Sequence, residues 1–136
     1  MKKFIILIIS VVLTACAPTL SSRVMDLNQS QLEKRSYQVR VFDTTDKKLV
    51  MRAIISTMQD LGFIIDTANE KFGTLSGRTF STGASVTITV RESNQTQTTV
   101  RINAQQGNKL IEDPIAYQNF FNALAQSLFL EAHEIK

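Results

Sequence analysis

Two stretches of this chain, VTITVRE at 86–92 and TTVRINA at 98–104, alternate apolar and polar residues across a short polar link, SNQTQ. Successive side chains on a strand point to opposite faces, so each stretch has one apolar and one polar face. Two such runs joined by a short turn predict an antiparallel hairpin. A hairpin does not stand alone in water, so its apolar face demands a cover. The other segments must supply that cover.

They read as follows. YQVRVF at 37–42 alternates and predicts a strand with Tyr37, Val39 and Val41 on one side. The period then changes. Val50, Ile54, Met58 and Leu61 follow helical spacing, with Leu49 and Ala53 beside them. Thr44 or Thr45 is placed to cap this helix, Asp46 suits its first turn, and Gly62 suits its end. FIIDTA at 63–68 and TLSGRTF at 74–80 predict two more strands, with Gly77 expected at a bulge. QQGNKLIE reads as a loop. Asp113 and Pro114 then open a last helix, with Tyr117, Phe120, Phe121, Leu124 and Leu128 on one face. The predicted fold is α+β, in the order strand, helix, four strands, helix. Both helices cover one face of a curved antiparallel sheet.

Before this domain the chain reads differently. Lys2 and Lys3 precede an apolar run from Phe4 to Leu13, and Leu13-Thr14-Ala15-Cys16 closes it with small residues. A run of about ten residues is half of what crosses a bilayer, so the layout is that of a secretory signal. Leu-Thr-Ala-Cys resembles the lipobox of bacterial lipoproteins. That resemblance implies cleavage after residue 15 and a diacylglycerol on the Cys16 sulfur. Two or three acyl chains give stable anchoring. Ala17 follows the cysteine, which in enteric-type lipoproteins implies export to the outer membrane, with the domain facing the periplasm. The expected organisation is a signal peptide at 1–15, a lipidated tether at 16–36 and a single domain at 37–136. Within the tether a short helix is expected around Gln29 to Lys34.

The element order is similar to that of helix-grip domains in outer-membrane lipoproteins, including the BamC component of the barrel-assembly machine. The run from Arg40 to Phe80 resembles a widespread group of small Gram-negative lipoproteins. Neither resemblance transfers a functional residue.

Residues able to do chemistry are few. Cys16 is the only cysteine and His133 the only histidine of the 136 residues, so neither a disulfide nor a zinc site is expected. Asp43 with Asp46, and Glu112 with Asp113, stand where helices begin, and capping accounts for them. Asp66 and Glu70 match no metal loop. GRTFSTGAS lacks the lysine of a phosphate loop. No catalytic residue, cofactor or metal is expected. The formal charge of +3 falls to about +1 without Lys2 and Lys3, so charge does not point to nucleic acid.

The expected function is an interaction module, accessory to a secretion, efflux or outer-membrane biogenesis complex. It would hold the membrane through its lipid and bind protein, with no small-molecule ligand expected. The alternative is a lipoprotein gripping a lipid or glycan between sheet and helices, and an apolar cavity would mark it. If Val39, Val41, Leu75, Val86, Ile88, Val90, Val100 and Ile102 face the helices, alternation puts Arg40, Arg78, Arg91 and Arg101 on the opposite face, among threonines. Four guanidinium groups there would form a docking surface for an acidic protein patch or for envelope phosphates. The anchor generates a first prediction. Cys16→Ser will leave an uncleaved or soluble species that incorporates no fatty-acid probe in cells, and label in that variant would refute the lipid anchor.

Overall fold

A computed structural model describes residues 30–134, so Cys16 lies outside the described residues. The chain divides into two units, Met1–Leu32 and Glu33–Lys136, and the second holds the sheet and its core. Residues 30–38 are helical (α1): this overlaps the short helix expected around Gln29 to Lys34 and runs on through Tyr37 and Gln38, which were expected to begin a strand. β1 (Val39–Phe42) is therefore short. It is followed by α2 (Lys47–Asp60), β2 (Ile64–Asn69), β3 (Thr74–Arg78), β4 (Ala84–Glu92), β5 (Thr98–Gln106), β6 (Lys109–Leu110) and α3 (Pro114–Glu134). The architecture is α+β, a curved open antiparallel sheet in the order β1-β5-β4-β3-β2, with β6 beside the far end of β5.

Local chemistry sets the helix ends. Asp46, rather than Thr44 or Thr45, caps α2: its carboxylate accepts from the Leu49 N–H at 2.9 Å, and Thr44 Oγ1 accepts from the Asp46 N–H. At the other end Phe63 N–H donates to Met58 O and Gly62 N–H to Gln59 O, with Gly62 at φ +80°. This is a Schellman closure, and only glycine takes that backbone without strain. Asp113 caps α3 by accepting from the Ile115 N–H.

Both helices bury one stripe against one face of the sheet. Val50, Ala53, Ile54 and Met58 of α2 and Tyr117, Phe120, Phe121 and Leu124 of α3 meet Leu75, Val86, Ile88, Val90, Val100 and Ile102. α2 comes very close to β3 because Gly77 has no side chain. A Cβ there would lie 2.6 Å from the Met58 methyl and 2.7 Å from the Ile64 carbonyl oxygen. The bulge expected at Gly77 sits instead on its neighbour. The β2–β3 register shifts between Ile65 and Thr67, which leaves Asp66 as the extra residue, 3.4 Å from the Arg78 guanidinium.

The start of the unit is clasped to the start of α3. Lys34 pairs with Glu112 at 2.5 Å, and that hydrogen bond raises the lysine pKa above its usual value. The Tyr37 ring packs on Tyr117 with centroids 5.2 Å apart, and desolvation raises the Tyr37 pKa. The segment expected to be a loop before α3 instead turns at Gly107 and Asn108 to pair as β6, with Gln106 opposite Lys109.

One expected core residue is misplaced: Leu61 is 44% exposed, because the helix ends one residue before it and its side chain leaves the buried stripe. Phe121, at 2%, is the better anchor. Phe121→Ala will therefore cost about 3–5 kcal/mol and Leu61→Ala about 1 kcal/mol or less. Denaturant melts of the soluble chain from residue 17 onward will separate them, and equal losses would contradict the packing.

Candidate functional site

The helices cover one face of the sheet and leave the other open. Cross-strand register fixes what the open face presents. Thr89 lies opposite Arg101, which lies opposite Val39; Arg91 lies opposite Thr99, which lies opposite Val41. Arg91 and Arg101 are thus diagonal neighbours on β4 and β5, about 7–8 Å apart at the backbone. Together with Val39, Thr89, Glu92 and Ser93 they line a groove of about 420 Å³. Ser93 and Thr99 join their hydroxyls at its wall. Among the described residues, no hydrogen bond or ion pair engages either guanidinium. Two unpaired guanidinium groups beside hydroxyls, the half-buried Val39 and the exposed Val41 suit a carboxylate-bearing surface with some apolar character.

The four arginines grouped by alternation separate into three settings. Arg91 and Arg101 stand together. Arg78 shares their face, but it is engaged by Asp66. Arg40 lies on the helix-covered side, opposite Val100, with its guanidinium carbon 5.3 Å from the Phe121 ring centroid. The face of β1 is therefore the reverse of expectation: Val39 and Val41 look outward, with Val41 49% exposed. The cause is Phe42, which packs against the core and must share a face with Arg40. A phenyl ring buries more apolar surface than a valine, and the arginine stem can lie along a ring while its head reaches water. In a four-residue strand these two terms decide the side.

A second concavity opens at one end of the sheet, between it and the helix termini. It measures about 290 Å³, and its walls include Phe63, Val86, Ala104, Tyr117 and Phe120. Nothing in the alternating pattern marks it except the alanines 84 and 104, set where the hairpin elsewhere carries Val and Ile.

The carboxylates singled out in the sequence have structural partners. Asp46 and Asp113 cap helices, Glu112 pairs with Lys34, and Glu70 with Lys48. Among the described residues, no three His, Cys, Asp or Glu side chains are placed to hold a metal. The side chain of His133 lies outside the described ones. No helix of the described residues is long and apolar enough to cross a membrane.

No protein-family model matches the chain, and no curated protein matches it. Among solved structures it is similar to the adenylate sensor from AMP-activated protein kinase in complex with ZMP. The TM-score is 0.45 and the identity 8%, over 66% of this chain and 94% of that one.

The division among the arginines is measurable. Arg40→Gln will lower stability by about 0.5–1 kcal/mol through loss of its contact with Phe121. Arg91→Gln and Arg101→Gln will each shift it by no more than about 0.5 kcal/mol. Chemical denaturation of the three variants checks the ordering, and the reverse order would return Arg40 to the open face.

Proposed function

We propose that this chain is a lipid-anchored, periplasm-facing interaction module of the outer membrane. It serves as an accessory part of a secretion, efflux or outer-membrane biogenesis complex. In this reading it is not an enzyme, and it docks through the open face of its sheet onto an acidic protein surface. One observation carries the proposal: Arg91 and Arg101 stand side by side in a groove with no internal partner among the described residues. An arginine pair left free of intramolecular salt bridges keeps its full capacity for bidentate bonds to another molecule. The half-buried Val39 in the groove and the exposed Val41 on the same face add apolar area, as the core of a protein interface requires. A purely phosphate-binding surface has no use for them, which favours a protein partner. The lipobox resemblance at Cys16 supports the anchor and the address.

Photocrosslinking in living cells, followed by pull-down at physiological salt, tests the docking face. The Arg91→Gln/Arg101→Gln double variant will recover the partner at least fivefold less than the parent chain, with an unchanged melting midpoint. Higher ionic strength will weaken the parent interaction, because charge pairs at a rim are screened. Unchanged recovery would rule out this face. Retention by anionic phospholipid vesicles in place of any protein would replace the protein partner with phosphate.

A further inference from the structure

The end of the sheet that carries the smaller concavity collects elements distant in sequence. β3 ends at Arg78 opposite Ile64 and Ser85, and Ala84 pairs with Gln106, which pairs with Lys109. The close of α2, the start of β2, the β3–β4 connection, the β5–β6 turn and the start of α3 therefore meet there. Leu61, Phe80 and Ile115 on these segments remain in water, with Phe80 at 80% exposure; Ile64 and Leu110 are exposed too, but they pair opposite Arg78 and Gln105 and so take the open face. Exposed apolar area concentrated in one region marks a binding surface.

The pocket inside this rim follows from sequence. Along the covered face of the hairpin, Val90 pairs with Val100 and Ile88 with Ile102, but the next positions are Val86 with Ala104 and then Ala84 with Gln106. Side-chain volume falls away toward this end, while Phe63, Tyr117 and Phe120 hold the walls apart. The lining asks for no hydrogen bond. The Tyr117 hydroxyl donates to Ile111 O at 2.6 Å and accepts from the Ala104 N–H at 3.3 Å. Among the described residues, no buried side-chain nitrogen or oxygen lacks a partner. An occupant must therefore be apolar along its buried length, since a polar group placed there would stay unpaired. Asn119, the other polar side chain of the lining, is exposed and meets solvent.

We propose that this pocket holds a single alkyl chain, the acyl tail of a lipid or fatty acid. Its 290 Å³ lies at the lower limit of small-molecule sites, about 300 Å³, and equals roughly ten water volumes of about 30 Å³ each. One chain of medium length fits, and a diacyl lipid does not. The lining offers no polar anchor to a partner's side chain, and Leu61 at its edge is 44% exposed, so apolar surface continues outward from the pocket. That is the surroundings a chain needs while it leaves an apolar phase. The site is on the opposite side of the sheet from Arg91 and Arg101, so it stands or falls independently of the docking face.

Ala116 is exposed on the first turn of α3 and lines the mouth, so a large residue there closes the entrance without entering the core. The test uses the chain from residue 17 onward, which contains the whole compact unit and its complete core. Titration calorimetry with dodecanoate will show one saturable site. Affinity will rise about fourfold per added methylene from octanoate upward and level off once the pocket is full. Ala116→Trp will weaken binding at least tenfold with an unchanged melting midpoint, and Ala116→Ser will not. Phosphatidylglycerol vesicles, run in parallel, identify the source. Vesicle binding that Ala116→Trp abolishes assigns the tail to a membrane lipid, and dodecanoate binding without vesicle binding assigns it to a free fatty acid. No saturable dodecanoate binding below about 1 mM, or equal binding by Ala116→Trp, would overturn the proposal. So would the loss of a protein crosslink in Ala116→Trp cells when dodecanoate does not bind, since the pocket would then seat a partner's side chain.

Discussion

The register of β4 against β5 is the constraint on which the rest depends. Val90 faces Val100 and Ile88 faces Ile102, and all four are at most 4% exposed. Because the side-chain period of a strand is two, this pairing assigns every neighbour as well: Thr87, Thr89, Arg91, Thr99, Arg101 and Asn103 take the other face. A slip by one residue would bury the arginines and expose the core. The interaction that assembles the hydrophobic layer and the arrangement that leaves two cations side by side are thus one fact seen from two sides of the sheet.

Most of the fold was legible because its signals were long. Nine-residue strands and a fourteen-residue helix contain enough repeats for a period to be unambiguous. Short elements carried too few. In β1 four residues offered two possible faces, and the strand alternation of 37–42 hid the fact that Tyr37 and Gln38 belong to a helix. β6 has two residues and no period at all; it exists because the β5–β6 turn returns the chain beside β5. Gly77 was expected at a bulge that lies instead on β2, yet a glycine is required at this position. Its reason, the approach of Met58 from a helix 19 residues earlier, is a tertiary contact that no local pattern encodes.

The candidate site divides along the same line. Arg91 and Arg101 were legible because they sit in the long hairpin. Arg78 was placed on the right face, but its engagement with Asp66 depends on a bulge in the adjacent strand. Arg40 was lost to the weak signal of β1. The pocket at the end of the sheet went unseen for a different reason. A pocket is a deficit of volume between elements, and the substitution of alanine for larger residues at 84 and 104 means nothing until the facing helices are in place.

The extra residue at Asp66 has one further consequence. β2 is an outer strand, and six extended residues with unpaired backbone groups offer a template on which another chain could polymerise. Asp66 divides that template. Only Ile64 and Ile65 precede it in register, the strand bends where it intrudes, and its charge is held beside Arg78. An incoming strand would find its ladder interrupted after two residues and would have to desolvate an ion pair to continue. The irregularity blunts this outer edge against the addition of another strand.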